Sequence, residues 1–321
     1  MITKILPDCY RLETPLPMGS LLLSVNSYLI KGASRSLLVD TTVDYPSCRD
    51  LFLSHLKELS VDIASTDIFI THFHIDHSGM VSELAAGKSK IFSSQKEAFS
   101  GNKRPWDQMM EDTLIYGYPD SELRKLKERI TRPIWHVDNT IKYSILNEGD
   151  ELAIGEYIFK CLETPGHSAG HMCLYEPNKK ILIAGDHILP TISPVISVWA
   201  NEVDALGVYF NSLNKTAQLN METVWPGHGD IFTGCNERIA QITGQLESRL
   251  VETLNLLKQR AQTAYELASQ VTWNITVRWE VLDSFNKLLA LGEVLAILKH
   301  LEGKKLVRSF NDNGKIKYCS E

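Results

Sequence analysis

Three histidines and one carboxylate lie within six consecutive residues of this chain, in the segment His72-Phe73-His74-Ile75-Asp76-His77. The segment directly follows residues 66–71 (TDIFIT), an apolar and β-branched run that predicts a buried strand. Placing so many polar groups beside a core is unfavourable unless a cation or another partner satisfies them. Imidazole and carboxylate groups are good ligands for Zn²⁺, and also for Fe and Mn. We therefore interpret this segment as a metal-binding turn at the end of a strand.

Three later segments have the same form, in which a predicted strand ends in a histidine or aspartate beside a glycine. They are residues 163–167 (ETPGH), 183–186 (IAGD) and 225–229 (WPGHG), and they contribute His167, Asp186 and His228. Glycine permits sharp turns and a close approach of the backbone. Five of the ten histidines lie in the four segments together. This clustering predicts that the four strand ends meet at one site.

The rest of residues 1–235 combines strand patterns with helical ones. Short apolar runs at 24–30, 36–40, 154–162, 171–175, 180–184 and 222–225 predict strands, and the apolar spacing at 48–59 predicts a helix. Residues 97–140 differ, because they combine aromatic residues and methionines with a charged helical stretch at 121–130 that Asp120 could cap. The pattern predicts an α/β domain over residues 1–235 that carries a helical insertion at about 97–140.

A change of composition after Gly234 marks a predicted second domain over residues 236–321. Residues 236–262 have the period of one long amphipathic helix, and Thr263 with Glu266 forms a capping box for another. Apolar residues with helical spacing follow as two further predicted helices at 281–289 and 294–301, and Asn313-Gly314 predicts a tight hairpin turn. Helices followed by a hairpin indicate a small, helical, winged-helix-like domain.

The segment HFHIDH resembles the H-x-H-x-D-H signature of the metallo-β-lactamase superfamily. ETPGHSAGH, LIAGD and WPGHG resemble the later motifs of that superfamily and occur in the expected order, within residues 1–235. Gly185-Asp186-His187 and the following PTISP segment are most similar to the glyoxalase-II-like hydrolases, and the C-terminal helices resemble the winged-helix appendage of β-lactamase-like protein 2. The resemblance implies the four-layer αββα fold, an α+β sandwich, with the winged-helix-like domain appended to it.

The same resemblance implies a ligand set for two metal ions. His72, His74 and His167 would hold the first ion, Asp76, His77 and His228 the second, and Asp186 would bridge both. Zn²⁺ is the expected metal, with two ions per chain and with Fe or Mn as alternatives. His171 and His187 fall outside this set, and each has three open roles: support of a ligand, contact with substrate, or an ordinary polar loop residue.

Two such cations can activate one bridging hydroxide as a nucleophile and polarise the group it attacks, so no serine or cysteine nucleophile is required. Asp76 would also orient the hydroxide, which makes it the expected catalytic residue. We therefore expect a metal-dependent hydrolase that cleaves an ester or thioester of a small acyl substrate. The aromatic and basic residues of the insertion could meet an acyl group with an anionic carrier, or could instead pack and coat the insertion itself.

Other functions stay open at this point. The winged-helix-like domain favours a phosphodiesterase or endoribonuclease, although residues 237–321 hold 12 Lys and Arg against 10 Asp and Glu, a weak excess for phosphate binding. An iron-dependent redox enzyme would use the same fold with another metal. A non-enzymatic, metal-stabilised regulator is disfavoured, because the ligand set is complete.

The net charge of −6 gives no indication of a nucleic-acid partner, so a small-molecule substrate is the expected partner, with nucleic acid left open. The six cysteines form no C-x-x-C pair and indicate reduced thiols. The sequence has no signal-peptide core and no apolar run of the ~20 residues that cross a bilayer. We expect a cytoplasmic protein without a membrane partner, and a homodimer is one open oligomeric state.

Overall fold

The computed structural model describes residues 1–17, 22–85, 89–100, 106–130, 137–197, 203–274 and 277–321. Contacts between Cα atoms divide the chain into two compact units. The first unit contains Met1–Asn102, Ile134–Thr191 and Lys215–Arg238, and the second contains Lys103–Pro133, Ile192–Asn214 and Ile239–Glu321. The described residues 106–130 of the predicted insertion lie in the second unit.

A seven-stranded sheet in the first unit keeps its strands in chain order. The strands are β1 (Ile2–Leu6), β2 (Cys9–Pro15), β3 (Ser24–Ile30), β4 (Ser36–Val39), β5 (Thr66–Phe69), β6 (Ile91–Ser94) and β7 (Tyr143–Leu146). Neighbours from β1 to β4 are antiparallel, and neighbours from β4 to β7 are parallel. The carboxyl ends of the four parallel strands therefore lie at the same edge of the sheet.

A second sheet in this unit has five strands, which are β8 (Glu151–Ile154), β9 (Tyr157–Glu163), β10 (Met172–Glu176), β11 (Ile181–Gly185) and β12 (Thr223–Pro226). Their spatial order is β12-β11-β10-β9-β8, and all neighbours are antiparallel except β11 and β12, which are parallel. The single strand predicted at 154–162 is wrong at its start, because the chain reverses between β8 and β9. Gly155 has a φ of 59° in this turn, a conformation that favours glycine.

Among the described residues, four α-helices lie wholly within the first unit: α1 (Pro46–Glu58), α2 (Ile75–Ser78), α3 (Val81–Leu84) and α4 (Gln95–Ser100). Helix α1 begins at Pro46. Proline is favoured at a first helical position because an N–H group there has no partner within the helix, so its absence costs nothing. Helix α2 contains Asp76 and His77 of the histidine-rich segment, and His74 is its N-cap residue. The predicted ligands of this segment thus lie in a turn that passes directly from strand to helix.

Alternate residues of the first sheet face its two sides, as expected for pleated strands. One set packs with side chains of the second sheet in a buried core that includes Tyr28, Val39, Phe69, Phe159, Leu174 and Trp225. The other set includes Leu29, Leu38 and Ile68, which pack with Phe52 and Leu56 of α1. Because both faces of these strands are covered, the strands have continuous apolar runs rather than an alternating pattern.

The second unit contains α5 (Trp106–Asp112), α6 (Asp120–Arg129), α9 (Ala264–Ala268), α10 (Ser284–Gly303), β13 (Gln262–Thr263), β14 (Val307–Asp312) and β15 (Lys315–Ser320). Helices α7 (Ala205–Ala217) and α8 (Cys235–Gln259) contain residues of both units. The three strands form a small sheet in the order β13-β15-β14. Asn313 and Gly314 have φ values of 52° and 82° at the turn of the β14–β15 hairpin, which confirms the predicted tight turn.

The cap residues of the structure test two predictions about helix N-termini. The capping box of α9 is confirmed, because the Thr263 side chain accepts from Glu266 N–H and Glu266 accepts from Thr263 N–H. The prediction that Asp120 caps α6 is wrong. Pro119 occupies the cap position, and Asp120 lies in the first turn, where it pairs with Arg124 at 2.8 Å.

The prediction of separate helices at 281–289 and 294–301 is also wrong, because α10 is continuous from Ser284 to Gly303. Asp283 caps its N-terminus by accepting from the N–H groups of Phe285 and Asn286. Gly292 costs about 1 kcal/mol relative to alanine in a helix interior. That cost is small beside the burial of Leu291, Val294, Ile297 and Leu298 along the same helix, at about 1.5–3 kcal/mol for each large apolar side chain.

Among the helices of the described residues, none combines the length and the apolar character that a membrane crossing would require.

Candidate metal centre

The four predicted segments follow strands of the first unit. In the first sheet, Asp40 and His72 come after the parallel neighbours β4 and β5. In the second sheet, Asp186 and His228 come after the parallel neighbours β11 and β12. His167 lies in the loop that joins the antiparallel strands β9 and β10. Strand direction therefore places each of these residues at an end of its sheet, although the segments are far apart in the chain.

All seven residues predicted as metal ligands come together. Their ligand atoms form three overlapping groups, and the atoms of each group lie within 4.8 Å of one another. The groups are His72, His74 and His167; His72, His77 and Asp186; and Asp76, His77 and His228. We call the first the His167 group and the last the His228 group.

The nitrogens of the His167 group face one another at hydrogen-bond distance. His74 Nδ1 lies 2.9 Å from His72 Nε2 and 2.9 Å from His167 Nε2, and the last two atoms are 3.2 Å apart. Burial, with neighbouring imidazoles acting in the same direction, lowers the pKa of His72 well below its usual value and that of His74 to about 3. His72 and His74 are therefore neutral, and a cation between the three rings would be held by the nitrogen lone pairs that face it.

The His228 group combines two imidazoles with a carboxylate. His77 Nε2 lies 3.3 Å from His228 Nε2, and Asp76 Oδ2 lies 3.5 Å from His228 Nε2 and 3.9 Å from His77 Nε2. His77 is fully buried, and the Asp76 side chain is 20% exposed. This group therefore offers a metal ion two buried nitrogen atoms and one carboxylate oxygen that solvent can reach.

The Asp186 carboxylate lies between the two groups. Its Oδ2 atom is 3.5 Å from His167 Nε2 and 3.4 Å from His228 Nε2, and its Oδ1 atom is 3.5 Å from His77 Nε2. Burial alone would raise the pKa of Asp186, but His228 and His77 outweigh it and hold that pKa well below its usual range. Asp186 Oδ1 is buried, and none of the described residues donates a hydrogen bond to it. An ionised carboxylate with an unsatisfied oxygen fits a cation at this position.

Hydrogen bonds on the far side of two rings set their tautomers. His77 Nδ1 lies 2.9 Å from Asp40 Oδ2, and His228 Nδ1 lies 2.6 Å from the Ser24 carbonyl oxygen. A carboxylate or carbonyl oxygen can only accept, so both Nδ1 atoms carry the proton. With Nδ1 protonated, Nε2 is the atom of each ring that would supply a lone pair to a metal ion at the centre.

The same device extends to His72 through a hydroxyl group. Thr71 Oγ1 donates to Asp40 Oδ2 at 2.8 Å and lies 3.0 Å from His72 Nδ1. Its proton is used by Asp40, so it accepts a hydrogen bond from the His72 Nδ1–H group. Asp40 is a supporting residue that the sequence analysis missed. Its position directly after the strand SLLV, followed by two threonines, is the only local pattern that could have indicated it.

His171 and His187 now have defined surroundings. His171 Nε2 accepts the backbone N–H of Asp186 at 3.1 Å, and His171 Nδ1 lies 2.8 Å from Thr164 Oγ1. His187 Nε2 lies 2.9 Å from Thr216 Oγ1. Both rings are 0% exposed, which leaves no surface for contact with substrate. His171 therefore supports the Asp186 backbone, and His187 packs near the His171 ring.

The loop that carries His228 is held by β3. The backbone N–H of Asn26 donates to Gly227, and its side-chain amide donates to the Pro226 and Gly229 carbonyls at 3.0 and 2.7 Å. A Cβ atom on Gly227 would lie 2.5 Å from Asp186 Oδ1 and 2.7 Å from His77 Cε1. Glycine is therefore required where this loop passes between Asp186 and His77, and Asn26 is a second supporting residue that local sequence patterns did not indicate.

Together these contacts test whether the residues fit metal ions. Five imidazole nitrogens and two carboxylates converge, and their ring protons are directed away from the centre where a partner is present. Borderline metals such as Zn²⁺ are bound by this type of donor set. The residues fit the metals that the sequence predicted.

Comparison with known proteins agrees with this geometry. The family model of the metallo-beta-lactamase superfamily matches residues 21–228, which is more than half of the chain. A beta-lactamase-like protein 2 homolog of Caenorhabditis elegans is 26% identical over 282 residues, which cover 86% of this chain and 78% of the relative. Atrochrysone carboxyl ACP thioesterase of Emericella nidulans is 23% identical over 225 residues, which cover 70% of this chain and 57% of that relative.

Solved structures give the same assignment. A metallo-beta-lactamase family protein from Thermus thermophilus superposes with a TM-score of 0.81 at 26% identity, covering 98% of this chain and 99% of that one. A beta-lactamase domain protein from Burkholderia ambifaria superposes with a TM-score of 0.79 at 23% identity, covering 100% and 95%. The predicted fold class is confirmed, and the chain belongs to the metallo-β-lactamase superfamily.

Proposed function

We propose that this enzyme is a hydrolase that uses two metal ions to cleave esters or thioesters of small acyl substrates. The observation that carries the proposal is the position of Asp186, whose Oδ2 atom lies 3.5 Å from His167 Nε2 and 3.4 Å from His228 Nε2. A carboxylate within reach of both histidine groups can serve as a ligand common to two adjacent cations. Binuclear hydrolases require such closely spaced ions.

The proposed ligands follow the two groups. His72, His74 and His167 would hold one ion, and Asp76, His77 and His228 the other, with Asp186 shared between them. We propose Zn²⁺ as the metal, with Fe and Mn as alternatives, because imidazole nitrogen and carboxylate oxygen suit all three. When bound, the ions supply Lewis-acid activation of a water molecule and of the scissile carbonyl group.

The proposed catalytic residue of the chain itself is Asp76. Its side chain is 20% exposed, against 6% for Asp186, so it is the carboxylate of the centre that solvent and substrate reach more easily. Its Oδ2 atom lies 3.5 Å from His228 Nε2, at the border of the second group. Asp76 would orient the attacking water and accept its proton, as a general base within hydrogen-bond reach does.

The leaving group favours thioesters within this substrate class. A thiol has a pKa of about 8.5, so it departs as a thiolate near neutral pH with little protonation. Asp76 is the partly exposed carboxylate among the described groups of the centre, and it would act there as ligand and base, so a leaving group that needs no protonation suits this centre. The relative from Emericella nidulans is named a thioesterase, which supports the same substrate class at low identity.

Phosphodiester hydrolysis is the second candidate, and one surface of the second unit favours it. Arg308 and Phe310 are exposed on β14, with the Arg308 guanidinium 5.8 Å from the centre of the Phe310 ring. Arginine and aromatic side chains contact the phosphates and bases of single-stranded nucleic acid. We propose the β14–β15 hairpin as the wing of a winged-helix-like element that would contact a nucleic-acid substrate.

A substrate panel on metal-loaded enzyme separates the candidates. Metal-free enzyme would be reconstituted with Zn²⁺, Mn²⁺ or Fe²⁺ and assayed on acyl-coenzyme A thioesters, aryl esters, lactones, a bis-aryl phosphodiester and RNA, with oxygen uptake recorded for the Fe form. We expect thioester hydrolysis that depends on added metal. Cleavage of RNA or the phosphodiester alone would replace the first candidate with the second, and oxygen uptake without hydrolysis would contradict both.

Matched variants assign any activity to this centre. Asp186→Ala removes the shared carboxylate and should abolish metal-dependent turnover. Glu222→Gln alters an exposed carboxylate that pairs with Lys180 at the opposite end of β12, and it should keep the wild-type rate. Full metal content and full rate in purified Asp186→Ala would refute the site assignment.

We propose the cytoplasm as the location of this enzyme and a small molecule as its substrate. All six cysteines are free, and Cys9, Cys48, Cys161, Cys173 and Cys235 are buried. Burial raises the pKa of Cys173 and Cys235 to about 12, which keeps these thiols protonated and unreactive. Buried, unpaired thiols are typical of a reducing compartment.

A further inference from the structure

We propose that Glu97 is a positioning residue for the His167 group, holding the two loops that carry His74 and His167 at the separation one metal ion requires. Glu97 lies on α4, outside the four predicted segments, and is 4% exposed. The inference rests on the proposed metal centre, since it assigns a role in forming one half of it.

The Glu97 carboxylate bonds both loops at once. Its Oε2 atom accepts the backbone N–H of Phe73 at 3.0 Å, and Phe73 lies between His72 and His74. Its Oε1 atom accepts the Ser168 hydroxyl at 2.6 Å and the Gly170 N–H at 2.8 Å. Ser168 directly follows His167. Each oxygen of one buried carboxylate therefore holds the backbone next to a different ligand.

A reciprocal contact brings the second loop against the start of α4. Ser94 Oγ donates to the Gly170 carbonyl at 2.6 Å and accepts the Glu97 N–H at 3.2 Å. A Cβ atom on Gly170 would lie 2.5 Å from Ser94 Oγ and 2.6 Å from the Glu97 nitrogen. The loop thus approaches α4 as closely as glycine allows, and both polar groups of the Gly170 backbone are bonded there.

The geometry requires a carboxylate of this length. A glutamine has one acceptor oxygen, so in either orientation its NH₂ group would face a backbone N–H, of Phe73 on one side or of Gly170 on the other. A buried N–H left without an acceptor costs about 1–3 kcal/mol. An aspartate is shorter by one methylene group and would reach only one of the two loops.

The effect should be confined to one half of the centre. His77 is held by Asp40, directly after β4, and His228 is held by the carbonyl of Ser24, on β3. Neither contact involves Glu97. Loss of Glu97 should therefore loosen the His74–His167 separation and leave the His228 group formed. A general loss of folding would weaken both halves together.

The test compares metal binding by wild type, Glu97→Gln and Glu176→Gln. Glu176 is a 0% exposed carboxylate at the far end of β10, where it accepts from Asn178 and from the Lys179 backbone. Zn²⁺ affinity would be measured by competition with a chromophoric chelator, and the coordination of each ion by the absorption spectrum of the Co²⁺ form. We expect about 10–100-fold weaker binding of one of the two ions in Glu97→Gln, the usual cost of losing a partner of a ligand, and two normal ions in Glu176→Gln.

Ser168→Ala provides a milder variant that keeps the carboxylate and the Gly170 bond, and it should weaken the same ion by a smaller factor. If Glu97→Gln and Ser168→Ala both bind two ions with wild-type affinity and spectra, the positioning role is refuted. Equal weakening of both ions in Glu97→Gln would also refute it, because that result indicates a fold defect. These binding measurements need no substrate, so a wild type that binds two ions yet hydrolyses no thioester would contradict only the proposed function.

Discussion

Asp40 Oδ2 lies 2.9 Å from His77 Nδ1, and both side chains are buried. The same carboxylate accepts the backbone N–H and the hydroxyl group of Thr71, each at 2.8 Å. Asp40 has a φ of 58°, a conformation that non-glycine residues adopt rarely and that is common at functional sites. One buried carboxylate therefore joins β4 to the histidine-rich segment after β5 and orients the ring of His77, a proposed ligand.

Asp40→Asn should weaken metal binding by about 10–100-fold, the usual cost of losing a partner of a ligand. The amide oxygen would be needed by the Thr71 N–H, so the NH₂ group would face His77 Nδ1. That ring would then move its proton to Nε2, where it blocks ligation. Zn²⁺ affinity measured by chelator competition checks this prediction.

Asp67→Asn is the matched control for that substitution. Asp67 is also a buried aspartate, at the opposite end of β5, where it accepts the Lys90 N–H at 2.8 Å and pairs with Arg35. It should lose stability and keep normal metal affinity. The tautomer argument fails if Asp40→Asn binds metal as tightly as Asp67→Asn.

Removal of metal should destabilise the first unit. The three nitrogens of the His167 group lie 2.9–3.2 Å apart, and a bound cation would join them as common ligands. At free metal 100-fold above its dissociation constant, binding stabilises the folded state by about 2.7 kcal/mol. Thermal unfolding with and without a chelator should show the corresponding fall in the transition temperature. An unchanged transition in wild type, or an equal fall in Asp186→Ala, would contradict this prediction.

Glu293→Ala should destabilise the second unit by about 3–5 kcal/mol, because it leaves the Arg249 charge buried without its partner. Both side chains of this ion pair are less than 10% exposed, and the Arg249 guanidinium also lies 5.2 Å from the Trp273 ring centre. Urea unfolding provides the measurement. The double substitution of Arg249→Met with Glu293→Leu should recover most of the loss, since well-packed apolar residues often replace a buried pair at little cost.

The exposed pair of Asp120 with Arg124 is the control for the buried pair. The two side chains are 61% and 71% exposed and lie 2.8 Å apart. Asp120→Ala should change the free energy of unfolding by less than about 1 kcal/mol, as for most surface ion pairs. Comparable losses in Glu293→Ala and Asp120→Ala would show that burial of the first pair has no energetic role.

Glu122 should stabilise the second unit above its unfolded pKa and lose this effect in acid. Burial raises the pKa of Glu122, but Ser284 and Lys287 outweigh burial and lower it below its usual value. Lys287 Nζ lies 3.1 Å from Glu122 Oε1. A depressed folded pKa means that the stabilisation is complete above about pH 4.3, the usual unfolded value, and disappears as pH falls through the folded pKa.

Urea unfolding of wild type and Glu122→Gln at several pH values tests this expectation. The difference in unfolding free energy should be largest near pH 7 and should shrink below pH 4. A difference that stays constant with pH would indicate that the side chain acts through packing or neutral hydrogen bonds instead.

Local sequence patterns were sufficient to predict features that depend on residues close together in the chain. The histidine-rich segment, the capping box of Thr263 and Glu266 and the turn at Asn313-Gly314 each contain their own physical explanation within a few residues. The convergence of His167, Asp186 and His228 on that segment was predicted from the repeated form of a strand followed by glycine and a ligand, together with the order of the motifs. The αββα fold followed from the same family resemblance.

Only the tertiary structure identified Asp40, Asn26 and Glu97. Each is an ordinary polar residue in sequence. Its role comes from partners 24 to 203 positions away, such as Phe73 for Glu97 and Gly229 for Asn26. Sequence periodicity reports which side of an element is buried, whereas a hydrogen bond between distant segments depends on where those segments meet. The sequence therefore predicted the proposed ligands and the order in which the strands carry them. The packing of two sheets determined which buried acceptors hold those ligands in place.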